Sequence, residues 1–188
     1  MRPCFERRAP HFNMANPIPK YARPEYERRF LVRNIPDLSE TAFRVIEDLY
    51  LDDTRLRLRK ITHHDGVMQY KLCKKYPSEG NDPLAIVNIY LTSQEYDLLS
   101  TLAGKVVRKK RYDIVASAHC IDVFEDHLAG LVLCEFEAES AAGLETFALP
   151  PWIGRDVSDD PFFAGGCLAS IDATQLAAKL STLRSRAR

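Results

Sequence analysis

Polar and apolar residues alternate with a period of two along most of this chain from Pro24 onward. Successive side chains of a β-strand point to opposite faces, so this pattern is typical of half-buried strands. It predicts strand segments at 25–33, 47–62, 67–75, 84–92, 105–115, 119–125 and 131–139. We therefore expect a mainly β, α+β protein, built as an antiparallel barrel or sandwich of seven or eight strands with helices packed outside.

Three segments have the signals of helices. The first follows the N-cap Thr92, the second covers Leu38–Val45, and the third runs from Asp172 to about Arg184. Gly104 is expected to end the first helix. The predicted apolar stripes consist of Tyr96, Leu98, Leu99 and Leu102 in the first helix and of Leu176, Leu180 and Leu183 in the last.

The length of 188 residues suits one domain with a real core. Residues 1–23 are different, because they are rich in proline and show no periodicity. We expect residues 1–23 to form a loosely ordered extension and residues 24–188 to form the single domain.

The overall charge excludes some classes of partner. The chain has 26 Lys and Arg residues against 26 Asp and Glu residues, so its formal net charge is zero. This balance argues against general binding to nucleic acid or to an anionic membrane, and no apolar run approaches the roughly 20 residues of a membrane-spanning helix. The five cysteines are scattered and include no C-x-x-C pair, which favours a reducing cytoplasm.

The charged faces of the predicted strands are sorted by sign. Like charges at positions i and i+2 share one face of a strand and repel each other unless an opposite charge lies among them. Such rows face water in many strands, and that interpretation stays open for each row taken alone. The acidic rows are Glu25 with Glu27 and Glu135 with Glu137, and the basic rows are Arg55, Arg57 and Arg59, and Lys109 with Arg111.

If these rows face inward, the barrel encloses a polar tunnel with cations on one wall and anions on the other. Paired carboxylates offer the oxygen ligands that divalent cations prefer, and arginine matches phosphate oxygens with its planar fork. This arrangement points to metal-bound polyphosphate as the ligand.

The E-x-E-x-R motif of Glu25, Glu27 and Arg29 resembles the E-x-E-x-K opening of the CYTH superfamily, the triphosphate tunnel metalloenzymes. The resemblance implies an eight-stranded antiparallel tunnel that binds a triphosphate-containing small molecule together with Mg²⁺ or Mn²⁺. It covers roughly residues 24–170 and continues, in chain order, with RLRLR at 55–59, YK at 70–71, RKKRY at 108–112, IDVFE at 121–125, GLVLCEFE at 130–137 and IGRDVSDD at 153–160.

The resemblance also implies roles for individual residues. Arg29 stands where the family has the lysine that helps to orient the attacking water, so Arg29 and Glu27 are the candidate catalytic residues. The candidate metal ligands are Glu25, Glu27, Asp122, Glu135 and Glu137. The candidate phosphate ligands are Arg55, Arg57, Lys71, Lys109 and Arg111.

The chain departs from the family pattern at three places. Arg29 replaces the lysine, Ile86-Val87-Asn88 stands where many relatives have E-x-E, and the stretch Asp160–Gly165 lacks an arginine and an asparagine that relatives often carry.

The leading hypothesis is a metal-dependent hydrolase of inorganic triphosphate or a small organic triphosphate. The alternatives are a class IV adenylyl cyclase and a polyphosphate- or nucleotide-binding protein with weakened turnover. The sequence leaves the oligomeric state open, with a homodimer as the alternative to a monomer.

Overall fold

The computed structural model describes residues 19–76, 84–114, 119–146 and 148–185. Its α-helices are α1 (Ser93–Leu99), α2 (Ala141–Glu145), α3 (Gly165–Leu168) and α4 (Ala173–Ser185), and short 3-10 turns cover Asp126–Leu128 and Pro161–Phe163. Its strands are β1 (Arg23–Val32), β2 (Phe43–Leu51), β3 (Leu56–Thr62), β4 (Met68–Tyr76), β5 (Leu84–Leu91), β6 (Gly104–Ile114), β7 (His119–Phe124), β8 (Val132–Ala138) and β9 (Ile153–Asp156). The expected extension at residues 1–23 falls largely outside the described residues.

The sheet closes on itself. Eight strands follow one another in the order β5-β4-β3-β2-β6-β7-β8-β1, and β1 then pairs with β5 through Arg23–Glu25 and Leu84–Ile86. Every neighbouring pair in this ring is antiparallel. The expected eight-stranded antiparallel barrel is therefore confirmed, with β9 added outside the ring on β1.

Two predictions for the region before β4 are wrong in detail. The segment 47–62 is not one strand but the β2–β3 hairpin, in which Asp53 takes a positive φ of 56° in the turn. The candidate helix at Leu38–Val45 is absent, because Phe43 already begins β2 and β2 pairs on both sides, with β3 and β6. Two-sided pairing outweighs the weak helical preference of so short a segment.

The predicted helix after Thr92 is confirmed as α1, but it is shorter than expected. Thr92 and Glu95 form a capping box, and the helix ends at Leu99, before the predicted stop at Gly104. Gly104 instead begins β6, where a Cβ atom would lie 2.5 Å from the carbonyl oxygen of Tyr50. Leu98 is 72% exposed, so it does not contribute to a buried stripe.

The main apolar core covers one end of the barrel. Val107, Phe124 and Leu133 share the inward-facing phase of Lys109, Asp122 and Glu135, and they pack in one cluster with residues of α3 and α4. α4 begins as predicted, with the backbone N–H of Gln175 donating to the Asp172 carboxylate at 2.8 Å. The other members of the cluster are Leu128, Leu131, Val157, Phe163, Leu168, Ala169, Ile171, Leu176 and Leu183. Among the described residues no helix is long and apolar enough to cross a membrane.

Two leucines test this assignment of the core. Leu176 on α4 is 3% exposed and Leu98 on α1 is 72% exposed. We expect Leu176→Ala to lower the free energy of unfolding by about 2–5 kcal/mol because it leaves a cavity. Leu98→Ala should change it by less than about 0.5 kcal/mol. Urea unfolding followed by circular dichroism measures both, and equal losses would contradict the assigned core.

Candidate functional site

The lumen of the barrel contains two adjoining chambers. The wide chamber has a volume of 1160 Å³ and the narrow chamber one of 490 Å³. All candidate residues except Asp122 line one or both of these chambers, so the structure brings the predicted set together. The residues that line both chambers are Glu25, Tyr26, Arg57, Arg59, Cys73, Arg111 and Glu137.

An acidic wall is formed where β1 pairs with β8. Glu27 lies directly opposite Glu137 in this pairing, and Arg29 lies opposite Glu135. Burial raises the pKa of Glu27, and the nearby charge of Glu135 raises it further. The two strands therefore gather carboxylates that repel one another in a buried place.

Arg29 lies within this acidic wall and is held from several sides. Its guanidinium forms an ion pair with Glu27, and its Nε atom lies 3.4 Å from Glu135 Oε1. It also donates to the carbonyl oxygen of Phe163 at 3.1 Å, and its backbone N–H donates to Ser158 Oγ at 2.9 Å. Burial opposes its charge, but the carboxylates of Glu27 and Glu135 raise the pKa of Arg29, so it stays protonated.

A buried network joins β6, β7 and β8. Asp122 is fully buried and accepts two hydrogen bonds from Arg111, each of 2.6 Å, as well as one from Lys109. Arg111 also forms an ion pair with Glu135. Burial would raise the pKa of Glu135, but Arg111, Lys109 and Arg29 hold it well below its ordinary value. Asp122 thus lies behind the chamber surface, with both oxygens occupied by bases.

The basic wall on β3 contains a carboxylate that the sequence analysis missed. Asp48 on β2 is 2% exposed and binds Arg59 through two hydrogen bonds, of 2.6 and 2.7 Å. Burial opposes the charge of Asp48, but Arg59 and Arg57 lower the pKa of its carboxyl far below the ordinary value. The alternation Ile46, Asp48, Tyr50 places Asp48 inward. One continuous strand over 47–62 does not predict this, because the turn at Asp53 shifts the inward phase from even positions in β2 to odd positions in β3.

Arg57 has its guanidinium only partly satisfied. It donates to Cys73 Sγ at 3.4 Å, and its Nε atom is buried without a hydrogen-bond partner among the described residues. Tyr50 packs nearby, where Gly165 makes room for it, since a Cβ atom on Gly165 would lie 1.9 Å from the Tyr50 hydroxyl oxygen. The free Nε–H marks Arg57 as a donor available to a ligand in the lumen.

The remaining basic candidates lie toward the ends of the chambers. Arg55 is exposed in the turn before β3, where it lines the wide chamber. Lys71 lines the narrow chamber, with its Nζ atom 5.0 Å from the centre of the Tyr90 ring. Lys75, which was not among the candidates, lines the wide chamber and forms an ion pair with Glu25.

The donor set of the acidic wall suits a hard divalent cation. Carboxylate oxygens are the preferred ligands of Mg²⁺ and Mn²⁺, and burial together with the charge of Glu135 raises the pKa of Glu27. No group of three or more Asp, Glu, His or Cys side chains in the described part of the chain has metal-ligating geometry. The side chains of Glu25 and Glu27 are instead turned toward Lys75 and Arg29. The chemistry therefore fits a divalent cation, and binding one requires these two ion pairs to loosen.

A closed antiparallel barrel with a basic wall and an acidic wall in one lumen defines a tunnel protein for a polyanion. The chain belongs to the CYTH superfamily, the triphosphate tunnel metalloenzymes. It is 31% identical over 153 residues to an inorganic triphosphatase of Nitrosomonas europaea, and the alignment covers 77% of this chain and 96% of that protein. No family model matches the sequence.

Solved structures have the same architecture. The crystal structure of the inorganic triphosphatase NE1496 matches with a TM-score of 0.51 and 27% identity, over 77% of this chain and 93% of that one. A second crystal structure, described as that of the hypothetical protein NE1496, matches with a TM-score of 0.51 and 26% identity, over 77% of this chain and 96% of that one.

The contact between Gly165 and Tyr50 leads to one prediction. Tyr50 lies directly opposite Arg57 in the pairing of β2 with β3, and a Cβ atom at Gly165 would displace its ring. We therefore expect Gly165→Ala to lower stability by about 1–3 kcal/mol and, because Arg57 loses this neighbour, to weaken the binding of tripolyphosphate. Gly166→Ala is the matched control, because a Cβ atom there would lie 3.8 Å from Tyr50 Cδ1, which is ordinary contact. Urea unfolding and calorimetric titration with tripolyphosphate measure both effects. Identical behaviour of the two variants would refute the proposed packing of Tyr50.

The pairing of Glu135 predicts a pH dependence of stability. Its pKa is lower in the folded protein than in the unfolded chain, where it is about 4.3. Its contribution to stability is therefore complete above that value and is lost as the pH falls toward the folded pKa. Glu135→Gln should destabilise the protein near pH 7 and flatten the fall in stability below about pH 4. Urea unfolding at a series of pH values tests this, and parallel curves for the two proteins would contradict it.

Proposed function

We propose that this protein is an enzyme that hydrolyses inorganic triphosphate, or a small organic triphosphate, at a phosphoanhydride bond inside the barrel. The observation that carries this proposal is the sorting of buried charge, with a basic wall and an acidic wall lining one lumen. The similarity to an inorganic triphosphatase over 77% of this chain supports it. We also propose the cytoplasm as its location.

The basic side chains would hold the phosphate oxygens. Arg57 has a free buried Nε–H, and Lys71 forms no ion pair with any described carboxylate. Arginine can bind two oxygens of one phosphate at once, which fixes the position of the chain as well as its charge. The full set that we propose for this task is Arg55, Arg57, Lys71, Lys109 and Arg111.

The acidic wall would hold Mg²⁺ or Mn²⁺. We propose Glu25, Glu27, Glu135 and Glu137 as its ligands, with Asp122 in the layer behind them. When bound, such an ion neutralises phosphate charge and makes water more acidic.

Glu27 and Arg29 are proposed to act on the attacking water in different ways. Arg29 stays protonated, so it orients water and does not remove a proton from it. Of the two, Glu27 is the group that can accept a proton, because a carboxylate has acceptor oxygens and a guanidinium has none. The ion pair between them keeps both groups at the same place on β1.

A binding protein without turnover is the second candidate. The Arg29 guanidinium already contacts Glu27, Glu135 and the carbonyl oxygen of Phe163, which leaves few of its donors for water. Asn88 on β5 also lines the narrow chamber in place of a carboxylate. In this case the tunnel would bind triphosphate tightly and release it unchanged.

One experiment separates these functions. Purified protein is incubated with tripolyphosphate, ATP or thiamine triphosphate and with Mg²⁺ or Mn²⁺, while orthophosphate, pyrophosphate and cyclic nucleotide are measured. We expect orthophosphate release from at least one substrate, and a decrease in kcat on the order of 100-fold or more in Glu27→Gln.

Glu47→Gln is the matched control. Glu47 lies on the outer face of β2, where it forms ion pairs with Lys60 at 2.7 Å and Arg108 at 3.0 Å, so its loss should leave kcat unchanged. Binding of tripolyphosphate without any release of orthophosphate would refute the hydrolase and leave the binding protein. Pyrophosphate together with cyclic AMP would show a cyclase.

A further inference from the structure

Asp48 is an acid within the basic wall. Both of its oxygens bind Arg59, at 2.6 and 2.7 Å, and Oδ1 also lies 3.7 Å from Nε of Arg57. The residue is 2% exposed and lines the wide chamber together with both arginines. No sequence motif singles it out, and neither the metal set nor the phosphate set proposed above contains it.

The position of Asp48 follows from the register of the sheet. Asp48 on β2 lies directly opposite Arg59 on β3, and Arg59 in turn lies opposite Lys71 on β4. Three neighbouring strands therefore present one acid and two bases in a single row on the inner face of the barrel. Lys71 has no described carboxylate within ion-pair distance, so Asp48 compensates only part of the charge of this row.

The pairing constrains Arg59 but leaves the Nε–H of Arg57 available. A carboxylate that accepts from Nε and a terminal nitrogen of one guanidinium fixes the plane of that group, and here the plane is that of Arg59. The Nε–H of Arg57 has no partner, because Asp48 at 3.7 Å is beyond hydrogen-bond distance. A phosphate oxygen that binds this Nε–H would lie close to the Asp48 carboxylate and be repelled by it.

We propose that Asp48 is the built-in counter-ion of the basic wall: its negative charge, held in place by Arg59 and lying 3.7 Å from Nε of Arg57, limits how tightly the wall holds phosphate and so promotes release of the phosphate product. This inference rests on the proposed function, since it concerns the same ligand. Asp48 is a positioning residue and not a catalytic one, because it fixes Arg59 and acts on bound phosphate through its charge without contacting the reacting atoms. Without it, the two guanidinium groups would face the lumen with no carboxylate between them.

The Asp48→Asn variant tests this role, because it keeps the size of the side chain and one acceptor oxygen. Removal of one negative charge from a buried wall should tighten the binding of pyrophosphate and tripolyphosphate, on the order of tenfold or more. The KM for tripolyphosphate should fall together with kcat, because product release becomes slow. Calorimetric titration with pyrophosphate and tripolyphosphate, and steady-state kinetics with pyrophosphate as inhibitor, measure these changes.

Glu47→Gln is the matched control here too. Glu47 precedes Asp48 on β2 and also accepts a hydrogen bond from an arginine, Arg108, at 3.0 Å, but it lies on the outer face and neither residue lines a chamber. We expect unchanged affinity for pyrophosphate in this variant. Equal tightening in both variants would show a general charge effect and would overturn the role of Asp48.

A purely structural role for Asp48 predicts a different result. In that case the Asp48→Asn protein would lose stability while its folded fraction kept the wild-type KM and pyrophosphate affinity, and the proposal would fail. Weaker binding of pyrophosphate would also overturn it. If Asp48→Asn does not fold, the double variant Asp48→Asn with Arg59→Gln restores the charge balance, and it should fold and bind pyrophosphate without the tightening.

Separate measurements of tripolyphosphate binding and of its hydrolysis distinguish a failure of this proposal from a failure of the proposed function. If the wild-type protein binds tripolyphosphate but does not hydrolyse it, the hydrolase fails, and the tightening in Asp48→Asn still tests the counter-ion. If the wild-type protein hydrolyses tripolyphosphate and Asp48→Asn shows no tightening, only the counter-ion fails.

Discussion

Compensation between buried charges is the constraint on which this molecule depends. Arg111 and Lys109 share Asp122, Arg111 also forms an ion pair with Glu135, and Arg59 binds Asp48. Each of these side chains is at most 13% exposed. Removing one partner from such a pair leaves an uncompensated buried charge, which costs about 3–5 kcal/mol. Lys109, Arg111 and Arg59 can therefore be buried in the barrel because each of them lies beside an acid of a neighbouring strand.

The inner face of the barrel has an apolar part and a charged part. Val107 and Lys109 lie two residues apart on β6, and Leu133 and Glu135 lie two residues apart on β8, so both pairs share the inward phase. All four residues line the wide chamber, and the apolar member of each pair also packs in the cluster with the C-terminal helices. The same alternation thus supplies both the apolar core at one end and the charged site next to it.

Local signals in the sequence were sufficient for several parts of the structure. Period-two alternation predicted most strands, the N-cap at Thr92 predicted α1, and Asp172 predicted the start of α4. The strand that begins at Phe43 was missed because the pairing of β2 with β6 is a long-range property, and the hairpin at Asp53 was missed because its short turn contains neither glycine nor proline. Asp48 was missed for the same reason, since its inward phase depends on where the hairpin turns.

The sequence alone determined which residues share a face, because side chains separated by two residues must point the same way in any strand. It thereby determined that like charges are sorted into acidic and basic rows. Only the tertiary structure decided which rows meet, because register and ring closure bring β1 beside both β8 and β5 and place Asp48 against Arg59. The physical reason is that a charged row can be buried only beside charges of opposite sign, and for β1 these come from strands distant in sequence, as in the pairs of Arg29 with Glu135 and of Glu25 with Lys75.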